Sequence, residues 1–272
     1  MSTVEALAIL LAGIVAGGIN TIVGAGTLLT FPLLVWLGVP PLTANVSNTV
    51  GLVPAAVTGA FGYRRELTGQ WRAVAGMAAL SAVGGLGGAL LLLVAPGAFT
   101  AVVPWLLVLA AGLAAVQPRV AEALRRRENL AALRAGVTLA EPPQPALVDA
   151  ITRPLSFGLG LGIALTGVYG GYFGAAQGVV LLALLGIAWS ADLHRANGAK
   201  VVLAGTANLV SAVVFVISGV VDWRIAGLIA VGSAVGGVLG AQLGRRIPAG
   251  LLRALIVAVG LTAAVALWVR GA

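Results

Sequence analysis

The chain has 272 residues, of which 60% are hydrophobic and only 9% are charged, and its mean hydropathy is +1.08. Soluble domains carry about 25% charged residues, so this composition excludes a soluble globular protein and indicates a polytopic membrane protein. The absence of cysteine excludes a disulfide framework. The net charge of +8 is typical here of cytoplasmic loops that face anionic lipid, rather than of a nucleic-acid-binding protein.

Hydrophobic runs bounded by proline, glycine or charged residues predict five membrane segments in each half of the chain. In the first half they cover about 4–22, 27–38, 43–61, 72–94 and 99–116. In the second half they cover about 155–172, 177–188, 196–220, 224–243 and 250–269. A helix needs about 20 residues to cross a bilayer, so the short second segment of each half is expected to reach only partway across.

A polar stretch separates the two halves and divides the chain into three regions. We expect a first membrane repeat over 1–116, a cytoplasmic linker over 117–153 and a second membrane repeat over 154–272. The linker carries Pro142-Pro143 and the basic run 125–127, which could begin on an amphipathic surface helix. The simplest interpretation is a solvated loop whose charges hold the chain's orientation.

Each half begins with a glycine-rich stretch inside an otherwise apolar segment. The stretch Gly17–Thr27 reads Gly-Gly-Ile-Asn-Thr-Ile-Val-Gly-Ala-Gly-Thr. The stretch Thr166–Gln177 reads Thr-Gly-Val-Tyr-Gly-Gly-Tyr-Phe-Gly-Ala-Ala-Gln. Because glycine costs about 1 kcal/mol relative to alanine inside a helix, these stretches predict broken helices. In a bilayer, the backbone groups freed by such a break must face a cavity rather than lipid.

The two halves also resemble each other in sequence. The run Ser81–Ala89 matches the run Ser233–Ala241 at seven of nine positions. With small gaps, the same alignment pairs two further positions of each half: Gly24 with Gly174, and Asn48 with Asn197. Several matches in the same order at nearly one offset indicate an internal duplication.

Most of the basic residues lie in one alternating set of connections: Arg64, Arg65, Arg72, Arg119, Arg125, Arg126, Arg127, Arg134, Arg153, Arg195, Arg245, Arg246 and Arg253. The other short connections carry no lysine or arginine, although Arg224 follows the connection at 219–223. The positive-inside rule places the basic connections in the cytoplasm and both termini outside. Each short segment then pairs with its predecessor, and each half crosses the membrane an odd number of times. We therefore predict an all-α polytopic membrane protein with two inverted-topology repeats. Each repeat has a broken-helix or re-entrant hairpin plus about three transmembrane helices.

Enzyme signatures are absent from the sequence, which has no Gly-x-Ser-x-Gly elbow, phosphate loop or His-Glu-x-x-His motif. The one histidine, His194, lies beside Asp192 and Arg195 at a predicted membrane surface, where we interpret it as structural or interfacial. With a single histidine and eight carboxylates, the sequence offers no metal cluster, so we expect neither a metal nor a cofactor.

Glycines and polar side chains inside the predicted segments are the candidate substrate-binding residues: Asn20, Gly24, Gly26, Thr27, Asn48, Tyr169, Gly174, Gln177, Asn197 and Lys200. If each short segment is the returning arm of a hairpin, the N-termini of the two short segments both point towards the midplane, from opposite sides. A helix N-terminus favours an anion, and no acidic residue lies there to hold a cation. The alternatives are interhelical hydrogen bonding for the amides and snorkelling to the interface for Lys200.

One long motif carries a resemblance to a known family. The pattern Gly-x-x-x-Gly-Gly-Ile-Asn-Thr-Ile-Val-Gly-Ala-Gly-Thr-Leu-Leu-Thr-Phe-Pro-Leu-Leu begins at Gly13 and is followed by Thr43-Ala-Asn-Val-Ser-Asn-Thr-Val50. It resembles the TauE/SafE sulfite exporter family, and the likeness covers nearly the whole chain. In the counterpart stretch of the second half, Ala175-Ala176-Gln177 stands where the family often has a glycine run. The resemblance implies a bacterial multi-pass transporter of sulfite, sulfonates or related sulfur-containing organic anions.

These observations predict a secondary transporter, and more specifically an exporter, of a small sulfur-containing anion such as sulfite or an organosulfonate. Transport would proceed by alternating access at the midplane of the cell inner membrane. The first alternative is a passive anion channel of the same fold; a membrane enzyme or lipid-handling protein is less favoured. The expected partners are the anion and the lipid bilayer, without nucleic acid. The sequence leaves open a coupling ion (proton or sodium) and a homodimer.

Overall fold

The computed structural model describes residues 1–134, 154–190, 192–243 and 249–269, which form ten helices and no strands. The first half contains α1 (Thr3–Ile22), α2 (Thr27–Trp36), α3 (Pro41–Gly62), α4 (Trp71–Val94) and α5 (Pro96–Arg134). The second half contains α6 (Phe157–Tyr172), α7 (Gln177–Ala188), α8 (Leu193–Ser218), α9 (Trp223–Leu243) and α10 (Ala249–Val269). The prediction of an all-helical membrane protein is confirmed.

Helix length and hydropathy together identify the helices that can cross a bilayer. Among the described residues, five helices are long and apolar enough to span a membrane: α1, α4, α5, α8 and α9. By contrast, α2 has 10 residues and α7 has 12. At 1.5 Å per residue these two helices are about 15 and 18 Å long, well short of the roughly 30 Å hydrocarbon core.

The fifth helix is longer than the sequence predicted. Its membrane segment was expected to end near residue 116, yet α5 continues through Pro118 to Arg134. The extension has a packing partner, because Leu124 is only 3% exposed and lies against Gly186 of α7. The helix therefore continues where hydropathy falls. The rest of the expected linker, residues 135–153, lies outside the described residues.

Each major helix contact between the two halves has a counterpart made by the equivalent helices. Helix α1 packs against α9, and its counterpart α6 packs against α4. Likewise α3 packs against α9, and α8 packs against α4. Two buried serines repeat the relation at atomic detail. The hydroxyl of Ser81 donates to the carbonyl of Leu203 (2.9 Å), and that of Ser233 donates to the carbonyl of Gly51 (2.6 Å).

These serine contacts establish which residues of α3 and α8 are equivalent. Since Ser81 corresponds to Ser233, their acceptors Leu203 and Gly51 correspond to each other. Three residues earlier in each helix, Asn48 therefore corresponds to Lys200. The sequence alignment, which set Asn48 opposite Asn197, is wrong by about one helical turn. Two similar amides suggested the match, whereas the contacts between helices determine the register.

Equivalent helices that touch each other run in opposite directions. In the α3–α8 pair, Gly59 lies against Val201, whereas Ala56, nearer the start of α3, lies against Gly205, further along α8. In the α5–α10 pair, the ring of Trp105 packs on Trp268 at a centroid distance of 4.9 Å. Further along α5, Leu107 and Ala111 lie near Gly260, which precedes Trp268.

Two hydrophobic cores flank the short helices. The first contains an aromatic group in which Phe31 of α2 contacts Phe173 edge-on at 5.3 Å and Phe99 at 6.4 Å. The second surrounds α7 and includes Leu185, Trp189 and residues from the early turns of α4 and α8. The first hairpin thus lies in the first core, whereas the second hairpin is divided: its turn, with Phe173 and Ala175, belongs to the first core, and most of α7 belongs to the second.

Candidate functional site

The two hairpin turns have matching backbone geometry. Gly24 follows α1 with φ of +81°, and Gly174 follows α6 with φ of +74°. The N–H of Gly24 donates to the carbonyl of Ile19 (3.1 Å), and the N–H of Gly174 donates to that of Tyr169 (3.0 Å). A residue with a left-handed backbone after a helix is a common way to end it. Both helices end at the glycine-rich stretches identified in the sequence.

The two turns also touch each other. A Cβ atom added to Gly24 would lie 2.7 Å from the Cα of Gly178, and one added to Gly178 would lie 2.7 Å from the Cα of Gly24. Both distances are shorter than real Cβ contacts allow, so only glycine permits the approach. The end of α1 is thereby brought against the beginning of α7.

A small cavity of about 20 Å³ lies beside this contact. Its lining residues come from α1 and the turn after it, α3, α7 and α8: Asn20, Thr21, Gly24, Ala55, Ala56, Gly178, Lys200, Val201, Ala204 and Gly205. A cavity of this size has room for about one water molecule. It is mostly lined by small side chains, and Lys200 is its one ionisable lining residue.

Lys200 is buried in this cavity rather than snorkelling to the membrane surface. Its side chain is only 1% exposed, and its ammonium nitrogen has no hydrogen-bond partner among the described residues. It is also the one lysine of the chain, because all 15 other basic residues are arginines. A charged lysine costs about 3 kcal/mol at the centre of a membrane helix, and a buried basic nitrogen without a protein partner suggests a ligand.

The charge around the cavity favours an anion. Lys200 contributes a full positive charge when it is protonated, and Gly178 is the second residue of α7, whose N-terminus adds a partial positive charge. No carboxylate lines the cavity. The same end of the helix would provide backbone N–H donors to an oxyanion.

Asn48, the equivalent of Lys200, is part of a different cluster. Its side chain is fully buried, and its Nδ2 donates to the Thr27 hydroxyl at 3.3 Å. The hydroxyl of Thr30 donates to the Asn48 Oδ1. Asn48 and Thr27 therefore lie together, as the sequence predicted, but in this state their bonds join α3 to α2.

The remaining predicted site residues lie outside the cavity lining. The hydroxyl of Tyr169 donates to the carbonyl of Ala175 and so ties the second turn to α6. Gln177 is 2% exposed and lies against Gly170, and its Nε2 has no partner among the described residues. Asn197 is half-buried near the start of α8. Gly26 packs against the backbone of α1.

Asp192 has the structural role that the sequence suggested for its neighbourhood. It precedes α8, and its carboxylate accepts hydrogen bonds from the backbone N–H groups of His194 (2.9 Å) and Arg195 (3.0 Å). Such an N-cap satisfies donors that a helix leaves unpaired at its first turn. The side chain of His194 is exposed to solvent.

The sequence analysis missed several lining residues because they are small and apolar. Ala204 and Gly205 follow Lys200 by four and five residues on α8 and lie beside it in the cavity. A residue four positions later lies on the same helix face as the lysine, so the small side chain of Ala204 was a signal of space beside it. Gly178 could not be identified from sequence, because its importance comes from contact with the other hairpin.

Comparison with known proteins agrees with this architecture. The family model described as "Sulfite exporter TauE/SafE" matches residues 9–267. The chain is similar to a "Probable membrane transporter protein ORF9" from Sinorhizobium sp, with 26% identity over 260 residues, covering 94% of this chain and 89% of that protein. No solved structure matches significantly. The chain therefore belongs to the sulfite exporter TauE/SafE family of membrane transporters.

Proposed function

We propose that this protein is a secondary transporter that carries a small sulfur-containing anion, such as sulfite or an organosulfonate, out of the cell. The observation that carries the proposal is the buried side-chain nitrogen of Lys200, which faces a cavity where two broken helices meet. Polar residues inside a membrane protein commonly mark a transport pathway. In transporters built from repeats, broken helices commonly form the substrate site.

The anion would bind between the ammonium of Lys200 and the N-terminus of α7, with Asn20 and the turn at Gly24 completing the site. Lysine supplies the full charge, while the helix N-terminus supplies direction through its N–H groups. Sulfite and sulfonate groups are compact oxyanions that suit such donors. The cavity must widen to admit them, because its present volume is about that of one water molecule.

The directions of the helices support an inverted-repeat transporter. The pairs α3–α8 and α5–α10 consist of equivalent helices in opposite orientation, as a twofold axis in the membrane plane would require. We infer that the hairpin α1–α2 enters the membrane from outside and that α6–α7 enters from the cytoplasm. Each hairpin would then close the site from its own side of the membrane, which favours a carrier over a passive channel.

Lys200→Gln tests the binding site, with Thr206→Val as its matched control. Thr206 also lies on α8, but its hydroxyl donates to the Val202 carbonyl of its own helix (2.8 Å) and does not line the cavity. Affinity for sulfite, thiosulfate and ethanesulfonate is measured by calorimetry on purified, monodisperse protein. Loss of a hydrogen bond to a charged ligand costs about 1.5–3 kcal/mol, so Lys200→Gln should weaken binding roughly 10- to 150-fold.

Two outcomes would contradict the proposal. Equal affinity in the wild type and Lys200→Gln would place the anion elsewhere. Flux that is not accelerated by unlabelled anion on the opposite side of a proteoliposome membrane would indicate a channel, because a carrier accelerates exchange and a channel does not.

The orientation of the repeats has its own test. Single cysteines introduced at Val39 and Gly97 should react with an impermeant thiol reagent from outside the cell, whereas a cysteine at Gly69 should react only from the cytoplasm. The expectation follows from the positions of the basic loops. Labelling of Gly69→Cys and Gly97→Cys from the same side would rule out this orientation.

A further inference from the structure

We propose that Lys200 carries the coupling proton of the transport cycle: it holds the proton while the anion is bound and releases it when the anion leaves. This inference rests on the proposed function, because it assumes that Lys200 binds the transported anion. The observations that carry it are the identity of the residue, its burial and the absence of any other ionisable group from the cavity lining.

The choice of lysine at this position is informative. The chain has 15 arginines and one lysine, so arginine serves at every other basic position, including the buried Arg195. Arginine binds oxyanions at least as well, through a planar fork of donors, but it stays charged under all ordinary conditions. Lysine differs in being able to give up its proton when it is buried. A site that only needed a permanent cation would have no reason to exclude arginine.

Among the described residues, no carboxylate lines the cavity around Lys200. Of the helices packed around it, α3 and α7 contain no ionisable side chain, and α6 contributes only tyrosines. The connection between α3 and α4 also packs on α8, because Tyr63 and Leu67 lie against Gly198. The charged and ionisable groups on the described parts of these elements lie outside the cavity lining: Glu5, Tyr63, Arg64, Arg65, Glu66, Arg72, Arg119, Glu122, Arg125, Arg126, Arg127, Glu128, Tyr169, Tyr172, Asp192, His194 and Arg195. Inside the cavity, the transported anion would therefore supply the partner for the ammonium.

This arrangement links the proton to the anion. With a monovalent anion bound, the ammonium and the anion form a neutral pair, which can move between the two faces of the carrier without a net charge in the hydrocarbon. When the anion departs to the outside, an isolated ammonium in a cavity with apolar walls is strongly disfavoured. The N–H bond breaks, the proton passes to water that enters as the anion leaves, and the electron pair stays on the nitrogen.

The empty carrier then returns with a neutral amine and takes up a proton and an anion from the cytoplasm. Each cycle moves one proton and one anion in the same direction. For a monovalent anion the cycle is electroneutral, and for a divalent anion one negative charge crosses. A fixed cation at the same position could not make the empty return and would allow only exchange of one anion for another.

Lys200→Arg separates these behaviours. Proteoliposomes are loaded with ³⁵S-labelled ethanesulfonate, a monovalent anion whose charge does not change near neutral pH, and with a pH-sensitive dye. Efflux is measured with and without unlabelled ethanesulfonate outside. Wild-type protein should show both net efflux and exchange, and net efflux should make the lumen alkaline by one proton per anion. Lys200→Arg should retain exchange but lose net efflux by about tenfold or more, while Lys200→Gln should lose both.

The outcomes distinguish failure of the inference from failure of the proposed function. Wild-type exchange together with net efflux that leaves the lumen pH unchanged would overturn proton coupling and leave the anion site standing. The same ratio of net efflux to exchange in Lys200→Arg and the wild type would overturn it as well. No exchange of ethanesulfonate or of thiosulfate by the wild type would overturn the proposed function and the inference with it.

A spectroscopic measurement keeps the test decisive if Lys200→Arg does not fold. Because the chain has one lysine, incorporation of ¹⁵N-labelled lysine gives a single side-chain nitrogen signal from the wild-type protein. At fixed pH in detergent, saturating ethanesulfonate should convert that signal from a neutral amine to an ammonium. An ammonium signal both with and without the anion across the pH range in which the protein is folded would overturn the inference.

Discussion

Asn48 and Lys200 occupy equivalent positions in the two halves of the molecule, and the comparison separates scaffold from chemistry. Both residues lie on the third helix of their half, and both are fully or almost fully buried. The asparagine has polar partners within its own half, Thr27 and Thr30. The lysine has none among the described residues. The same fold thus provides one satisfied position and one that can take an anion.

The difference has a local cause in the neighbouring short helices. The turn glycines Gly24 and Gly174 correspond, so Thr30 of α2 corresponds to Val180 of α7. One of the two hydroxyls that bond Asn48 in the first half is therefore replaced by an apolar side chain in the second, and the other, that of Thr27, is replaced by the amide of Gln177. Lys200 lies instead beside Gly178 and the turn at Gly24. The two halves thus share similar contacts between helices, and a few side chains leave only the second half with an unpartnered lysine at this position.

The largest expected effect comes from disrupting the close helix contacts that the two halves share. Gly84 of α4 and Gly236 of α9 correspond, and a Cβ atom on either would overlap a backbone carbonyl oxygen, that of Ala164 or of Ile14. Gly84→Leu and Gly236→Leu should each remove most of the folded protein. Overpacking that forces the backbone to move is expected to lower the free energy of unfolding by more than about 3 kcal/mol. Expression and monodispersity in detergent provide the measurement.

Two glycines with open surroundings provide the control. Gly76 of α4 and Gly227 of α9 have no atom within 4 Å of an added Cβ. Leucine at these positions should leave the yield of folded protein unchanged, since small residues matter where helices approach closely. Equal losses at Gly76 and Gly84 would mean that helix propensity, rather than the packing of α4 on α6, determines the outcome.

A smaller effect is expected from Asn48→Leu, which asks whether the asparagine holds the fold or binds substrate. The substitution removes the side-chain hydrogen bonds that join α3 to α2, and the hydroxyls of Thr27 and Thr30 lose a partner. We expect a loss of about 1–3 kcal/mol in the free energy of unfolding, with ethanesulfonate affinity unchanged. Thermal unfolding in detergent and calorimetry measure the two quantities separately.

The opposite result would restore the role predicted from sequence. A large loss of affinity in Asn48→Leu with unchanged unfolding would mean that Asn48 leaves its threonine partners to bind the anion in another state of the carrier. The site would then be shared by both halves. Asn48 and Lys200 would then both bind the anion and would differ only in charge.

The sequence was sufficient for the overall fold because its signals are long and repeated. Hydropathy located the helices, and glycine-rich breaks located both hairpin turns. The sequence was insufficient at helix ends that are stabilised by contacts with other helices. The continuation of α5 to Arg134 includes the packing of Leu124 on Gly186, which no local pattern contains. Hydropathy falls at residue 117, but the helix continues.

The candidate site was only partly predictable for a similar reason. Asn20, Gly24 and Lys200 were singled out as polar or helix-breaking residues in membrane segments, and the cavity brings them together. Their opposing surface, including Gly178, depends on how the hairpins meet. The true equivalent of Asn48 also needed the register of α3 and α8 against their neighbours, because sequence matching favoured the chemically similar Asn197 over Lys200.

The smallest expected effect concerns the serine contacts that establish that register. Ser81→Ala and Ser233→Ala each remove one hydrogen bond, to the carbonyl of Leu203 or of Gly51. Each should lower the free energy of unfolding by about 1 kcal/mol. The two losses should be nearly equal, because the contacts are equivalent by the internal symmetry. They should add in the double variant, because the two serines share no partner. Chemical denaturation in mixed micelles measures all three variants. A loss confined to one serine would show that the two halves differ in their scaffold as well as at Asn48 and Lys200, and it would weaken the assignment of these two residues as equivalents.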